Sequence, residues 1–435
     1  MNTRFMVVII RLLESAVDGY LTQSPRLCAS GASCLLNPVS SPAVSLPLGG
    51  LMRSARDLYA CVSICLLVIL LAGSGPSSAA RYTVAEDPPF AAAFLVEAET
   101  GTILFSYDAD KPRSPASTQK LLLQLVVMDA VADGRLSLTD TVVTSAWASR
   151  MGGSQVFLRE GEVFPLEEMM HAIVIASAND ACVAVAEHIG GTVEGFVDLM
   201  NDKAQSLGLA TTRCVNVHGL DDTPANAGNV TSAQDLSKIA LSLIRHPQIL
   251  QWSAQRSAPF RDGKFKLWAT NRLLRKFPGL DGLKTGFTQR AGFNLVATAK
   301  RREMRLVSVV LGGRTESARD KETARLLSWG FNNFVKAPVV IAGDSIGIVP
   351  LDWGLSPDVT AVTADTLIAV LTPEERRRLR RDAQLPELQE APVAEGDTLG
   401  QLAISLDDSL IAEIHLVAGS TVGRMSVWEK LMSYF

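Results

Sequence analysis

Residues 118–132 (TQKLLLQLVVMDAVA) read as a helix that is apolar around nearly its whole circumference. A helix without a polar face has to be enclosed on all sides, so the chain must build a domain around it. The chain has the means: 435 residues, 47% hydrophobic and 20% charged, leave room for two or three domains, each with its own core. A disordered chain would be poorer in apolar residues and richer in charge. Gly134 stops the helix two residues after its last apolar turn.

The flanking segments supply what such a helix packs against. FAAAFLVEAE, a turn at Thr100-Gly101 and TILFSYD predict a β-hairpin before it. After it, helices are expected over 166–175, 181–188 and 194–207, the last closed by Gly208. Strands follow over 282–287, 292–300 and 304–311, then a helix over 317–334. Strands at both ends with helices between them predict an α+β fold, the terminal strands closing one antiparallel sheet flanked by helices. Beyond Ala337 the pattern changes to short alternating strands punctuated by Gly and Pro, which predicts a small all-β module. Within it the run EERRRLRR (374–381) reads either as a solvated loop or short helix, or as a patch drawn to an anionic surface. In the last segment Val422, Met425, Trp428, Leu431, Met432 and Phe435 recur at three- and four-residue steps, with Arg424 and Lys430 elsewhere on the helix. That face suits a helix lying in a membrane surface or docked on the β module.

Several classes are excluded at the level of composition. A formal charge of −4 leaves no whole-chain basic footprint for nucleic acid, so none is expected as a partner. The five histidines never fall at metal-ligand spacing and no H-E-x-x-H occurs, so no metal site is expected. Near the start, Arg53 and Arg56 precede an uncharged stretch over 58–80 whose Ser78 and Ala80 fit a signal-peptidase site, with Arg81 following. We expect a cleaved signal beginning at Met52, and residues 1–51 to be a mis-assigned upstream extension. The stretch is long enough to span a bilayer, but the Gly/Pro cluster at 73–76 shortens its apolar core. Of six cysteines only Cys182 and Cys214 fall after it, which is not a disulfide scaffold; Cys182, in an apolar helix, is expected as a buried thiol.

Three short motifs carry chemistry. In Ser117-Thr118-Gln119-Lys120 a three-residue helical step puts a hydroxyl and an amine on one face. The serine needs a neighbour to take its proton, and the lysine can do so only if burial or a second cation lowers its pKa. Ser177-Ala178-Asn179 lies in a turn between two apolar helices, where the serine can relay a proton and the amide can orient a carbonyl and the lysine. Lys284-Thr285-Gly286 sits on a strand, where an amine and a hydroxyl suit a substrate carboxylate and the glycine lets a ligand backbone lie along the edge. Leu283 before the lysine excludes a nucleotide-binding loop.

Each motif alone is weak, since the serines are also ordinary helix caps, but the ordered trio matches the S-x-x-K, S-x-N, K-T-G set of penicillin-binding proteins and serine β-lactamases. From Ala91 onward the chain resembles the low-molecular-mass D-alanyl-D-alanine carboxypeptidases of the penicillin-binding protein 5/6 type, through PASTQK, ASANDAC, VHGLDD, DGLKTGFT, AGFNLVATAKR and LGGRTESARD. The β module and amphipathic tail also match that layout. The resemblance implies a serine peptidase domain over 81–337 with the β-lactamase/transpeptidase-like fold, a β-rich domain over 338–419 and a membrane-anchoring helix over 420–435. It implies Ser117 as the acylated nucleophile, Lys120 as its base, and Ser177 and Asn179 as the second edge of the cleft. Lys284, Thr285 and Gly286 would meet the terminal carboxylate with Arg319 in support, and the amides of Ser117 and Phe287 would hold the oxyanion. His218 would lie on a loop beside the cleft. Where the family often has T-A-R-D, this chain has Ser232-Ala233-Gln234-Asp235, which removes an arginine and leaves more of the carboxylate to Lys284 and Arg319.

The expected activity is removal of the terminal D-alanine from peptidoglycan pentapeptides, without a cofactor and with β-lactams as covalent inhibitors. The expected place is the periplasm, at the outer face of the inner membrane. A β-lactamase would carry an E-x-x-L-N loop, and none occurs between Ser177 and Lys284. A D,D-endopeptidase uses the same trio but usually lacks the β module and tail. A catalytically idle wall-binding protein would have no call for Ser117, Lys120 and Lys284 together.

Overall fold

The computed structural model describes residues 82–221 and 228–433; the expected extension and signal over 1–80, and Phe435, lie outside them. Strands β1 (Ala92–Glu97) and β2 (Ile103–Tyr107) form the expected hairpin. A 3-10 turn, Ala116–Gln119, then feeds α1 (Lys120–Ala132), which is buried from Lys120 to Met128. Next come the small pair β3 (Thr141–Val143) and β4 (Val163–Pro165). The helices α2 (Leu166–Ala176), α3 (Asn179–Gly190) and α4 (Val193–Ser206) follow. After them stand α5 (Ala233–Leu243), α6 (Pro247–Ser253) and a hairpin of β5 (Ser257–Phe260) and β6 (Phe265–Trp268). The domain closes with β7 (Leu280–Thr288), β8 (Gly292–Arg301), β9 (Met304–Gly313) and α7 (Glu316–Asn333).

The main sheet is antiparallel in the order β2-β1-β9-β8-β7, so the two ends of the domain do meet in one sheet. Its strands alternate between two cores, as period-two side chains must. Phe94, Val96, Val296, Val307 and Val309 join the helices α1 to α6, whereas Leu95, Leu295, Ala297, Leu306 and Val310 join Leu326 and Leu327 of α7. Both faces are covered, and α1 runs through the larger core.

The second domain is all-β apart from two short helices. Strands β10 (Val335–Val340) and β13 (Leu367–Leu371) pair with each other. The six-stranded sheet uses β11 (Ser345–Asp352), β12 (Asp358–Thr363), β14 (Leu379–Gln384), β15 (Gln389–Glu390), β16 (Thr398–Leu406) and β17 (Ser409–Ala418). Their order is β14-β16-β17-β12-β11-β15. The basic run divides between α8 (Pro373–Arg378), started by a capping box of Thr372 and Glu375, and the exposed edge strand β14.

The tail departs most from expectation. The final helix, α9, covers only Val427–Met432 and starts at a capping box of Ser426 and Glu429. Val422 is no part of an exposed helical face: it bridges Val393 and is buried in the β core. Arg424 bridges Gly354, and the Met425 amide donates to the Trp353 carbonyl at 2.7 Å, so the chain is still extended there. Among the described residues no helix is long and apolar enough to cross a membrane. Cys182 and Cys214 are both free and buried.

Candidate active site

Ser117 lies on the 3-10 turn at the head of α1, so Lys120 follows it one turn later on the same side. Ala116 holds a left-handed φ of +47° just before it, a conformation that costs a non-glycine residue about 1–3 kcal/mol. The turn is gripped from two sides. A Cβ on Gly219 would lie 2.1 Å from the Ala116 carbonyl oxygen, and one on Gly286 would meet Pro115 O and the amides of Ser117 and Thr118 at 3.0 Å. Glycine at 286 is what lets β7 lie against the serine turn.

Lys120 is the hub. Its Nζ lies 2.8 Å from Ser117 Oγ, 3.2 Å from Ser177 Oγ and 2.6 Å from Asn179 Oδ1. Ser177 caps the C-terminus of α2 with a φ of +64°, and Asn179 opens α3, so the strained turn between two buried helices aims both side chains at the amine. Asn179 is fixed in turn, its Nδ2 donating to Gly152 O at 2.7 Å. Four of the expected residues therefore form one hydrogen-bonded cluster.

The cluster is dry. Lys120 is wholly buried, and burial pushes its pKa down to about 8, opposed by the charge of nearby Asp180. Lys284, on β7, is held well below its ordinary value, first by burial and then by the charge of Lys120. The two amines share a site that disfavours two protons, so they titrate as a pair. Lys284 Nζ donates to its neighbour's carbonyl, Thr285 O, at 2.9 Å, and the Thr285 hydroxyl donates to Thr270 Oγ1 at 2.7 Å. The Cys182 thiol, pushed up to about 11 by burial, stays protonated and neutral near both amines.

Other expected residues stand further out. Phe287 exposes its ring and stacks on Phe293, with centroids 4.2 Å apart. Arg319 is buried at the start of α7, its Nη2 2.7 Å from Asp320 Oδ1 and 3.5 Å from Glu316. It reaches Lys284 through its charge, while its Nε and Nη2 donate to Asp320 Oδ1. His218 is buried, its Nδ1 accepting from the Leu220 amide at 3.2 Å. Gln234 lies in the first turn of α5, where Ser232 is the helix cap and Asp235 accepts from Thr211 and Thr212. Three supporting groups escaped sequence reasoning: Thr270, the Gly152 carbonyl and Asp180, whose carboxylate accepts from the amides of Val156 and Leu158 at 3.0 and 3.1 Å. Of these only Asp180, next to Asn179 in the motif, left a signal.

The chain is similar to known proteins over both of its domains. The family model for D-alanyl-D-alanine carboxypeptidase matches residues 83–315, and that for the C-terminal domain of penicillin-binding protein 5 matches residues 334–424. The chain belongs to the D-alanyl-D-alanine carboxypeptidase family. It is 33% identical to the D-alanyl-D-alanine carboxypeptidase DacF of Bacillus subtilis, over 82% of this chain and 93% of that one. It is 32% identical to DacA of Escherichia coli, over 78% and 85%. Penicillin-binding protein 5 of Haemophilus influenzae superposes with a TM-score of 0.65 at 30% identity, covering 79% of this chain and all of that one. Penicillin-binding protein D2 of Listeria monocytogenes, solved in an ampicillin-bound form, superposes with a TM-score of 0.52 at 30% identity over 57% of this chain and 100% of that one. As a member of the family the chain is a serine-type peptidase with the α+β fold and separate β domain of these neighbours.

Proposed function

We propose that the protein removes the terminal D-alanine from peptidoglycan pentapeptides through an acyl-enzyme on Ser117. The observation that carries this reading is the 2.8 Å hydrogen bond between Lys120 Nζ and Ser117 Oγ in a site where burial has lowered the amine's pKa. Neutral Lys120 takes the hydroxyl proton as Oγ attacks the penultimate D-alanine carbonyl. The oxyanion forms between the amides of Ser117 and Phe287, which Gly286 allows to approach each other. On collapse the C–N bond breaks, and the leaving amine receives the proton from Lys120 by way of Ser177, whose Oγ lies 3.2 Å from Lys120 Nζ. Water then attacks the ester, Lys120 takes its proton and returns it to Ser117 Oγ as the acyl C–O bond breaks, and the shortened peptide departs as its acid.

Lys284 and Thr285 bind the terminal carboxylate, Gly286 lets the peptide backbone lie along β7, and Arg319 adds positive potential behind Lys284. β-Lactams offer Ser117 the same carbonyl with the leaving amine tethered, which makes them covalent inhibitors. Intact mass spectrometry after penicillin treatment tests the assignment. One adduct is expected, on the Ser117 peptide and absent from Ser117→Ala; an adduct persisting in that variant overturns it.

The same reading places the protein in the periplasm, exported by the segment over 52–80 and attached to the outer face of the inner membrane by α9. Support comes from Val427, Trp428, Leu431 and Met432, which are 74%, 76%, 51% and 68% exposed on a single short helix. Lys430 pairs with Asp352 at 2.8 Å and Arg424 with Glu390 at 2.8 Å, so the attachment rests on apolar area more than on these two cations.

A further inference from the structure

A groove of about 520 Å³ opens where β7 ends, and it shares Phe287 with the cleft. Its other walls are the β7–β8 turn, the end of β9 and residues 113–114, which lead directly into the Ser117 turn. Three of its lining residues are arginines, Arg113, Arg290 and Arg314, and among the described residues no carboxylate lines it. Like charges gathered around one groove repel one another, so the groove favours an anion. Arg314 pairs with Asp87, but on an exposed surface where such a pair contributes little. Arg290 lies 3.8 Å from Asp221. The backbone of Arg113 is bridged to Thr231, its side chain donates from Nη2 to Ala91 O at 3.3 Å, and among the described residues its buried Nε has no partner.

The order of contacts along β7 says which part of a substrate reaches this groove. Lys284 and Thr285 take the terminal carboxylate and the Phe287 amide takes the scissile carbonyl, so the rest of the acyl chain continues toward Gln289 and Arg290. An extended peptide advances about 3.3 Å per residue, which brings the first or second residue before the penultimate one to the groove. We propose that the arginine-lined groove is a second subsite of the cleft, one that holds a side-chain carboxylate on the acyl part of an acidic peptide substrate. The proposal rests on the carboxypeptidase reading and names a substrate preference within it.

The test is a pair of peptides ending in D-Ala-D-Ala that differ only as glutamate against glutamine, placed at the first or the second residue before that dipeptide. For one of the two placements kcat/KM is expected to favour glutamate by about tenfold at low salt, the scale of a charge-assisted hydrogen bond. The preference should shrink as salt screens it, and fall toward unity in Arg290→Gln and Arg314→Gln. Penicillin acylation of each variant reports whether it has folded, and the wild-type comparison needs no variant. Equal cleavage of acid and amide at both placements overturns the subsite, as does a preference that survives in both folded variants. If no peptide is cleaved and penicillin forms no adduct, the reaction itself is overturned, and the subsite with it.

Discussion

Lys120 is where burial turns into chemistry. A solvated lysine, with a pKa near ~10.4, would hold its proton and leave Ser117 an ordinary alcohol. In the core the amine falls to about 8, with three oxygen acceptors in reach. The base acts only when neutral, so the rate of acylation should rise with pH and level off above about 8, where Lys120 loses its proton. Stopped-flow measurement of penicillin acylation against pH checks this; a rate that falls over the same range contradicts it. Lys120→Arg keeps a charge but cannot give up its proton, and should lose roughly 10²–10⁴-fold in acylation rate. At the other end of the substrate, amidating the terminal D-alanine leaves the Lys284 and Thr285 donors without their carboxylate. In kcat/KM assays that peptide should lose two or more orders of magnitude, roughly the penalty for unpaired buried donors, whereas equal turnover would favour an endopeptidase. The cluster of Ser117, Lys120, Ser177 and Asn179 was legible in the sequence because each motif concentrates its chemistry in a few side chains. The Gly152 carbonyl was not, because a backbone acceptor carries no residue signature.

Among the elements, those with a regular hydrophobic period were readable. The α1 helix is apolar around nearly its whole circumference, and β8 and β9 alternate between two cores. Where polar residues mask the period, the reading was incomplete: the short solvated helix expected in EERRRLRR is α8, but the strand after it was missed. Charge at nearly every position of EERRRLRR hides a strand, because β14 is an edge whose exposed charges discourage pairing with other chains. Helix α5 carries Leu236, Ile239, Ala240 and Leu243 at helical spacing behind the Ser232 cap, a readable pattern that comparison with the family's T-A-R-D obscured. The element that matters most for the site is β7, through one missing side chain. Gly286→Ala places a methyl 3.0 Å from three backbone atoms of the serine turn, which have little room to yield. Overpacking of this kind costs about 1–3 kcal/mol, and a small displacement of Ser117 from its oxyanion donors costs about 10²-fold in rate. Thermal unfolding and penicillin acylation measured on this variant should show a modest loss of stability beside a much larger loss of rate. Equal rates in variant and wild type would mean that β7 need not approach the turn so closely.

At the scale of the whole molecule the question is how the tail relates to the β domain. Helical spacing from Val422 to Phe435 suggested one continuous amphipathic face, but an apolar residue every three or four positions also fits a strand that buries one residue and then enters a helix. The structure takes the second course: Val422 fills the β core, Met425 still bonds to Trp353, and the helix begins only after the Ser426 cap. Truncation after Gly419 would therefore strip a core residue and two β-bridges, and loss of membrane binding in that variant could equally report a damaged domain. Truncation after Met425 separates the two effects. It leaves Val422, Arg424 and the Met425 amide in place and removes the exposed Val427, Trp428, Leu431 and Met432. The ion pair it cuts, Lys430 to Asp352, is half-exposed and contributes little to folding. The shortened protein should keep its melting temperature and its penicillin acylation rate while moving from sedimented lipid vesicles to the supernatant. If it still sediments with the vesicles, α9 is not the attachment, and the apolar segment over 58–80 becomes the one to test.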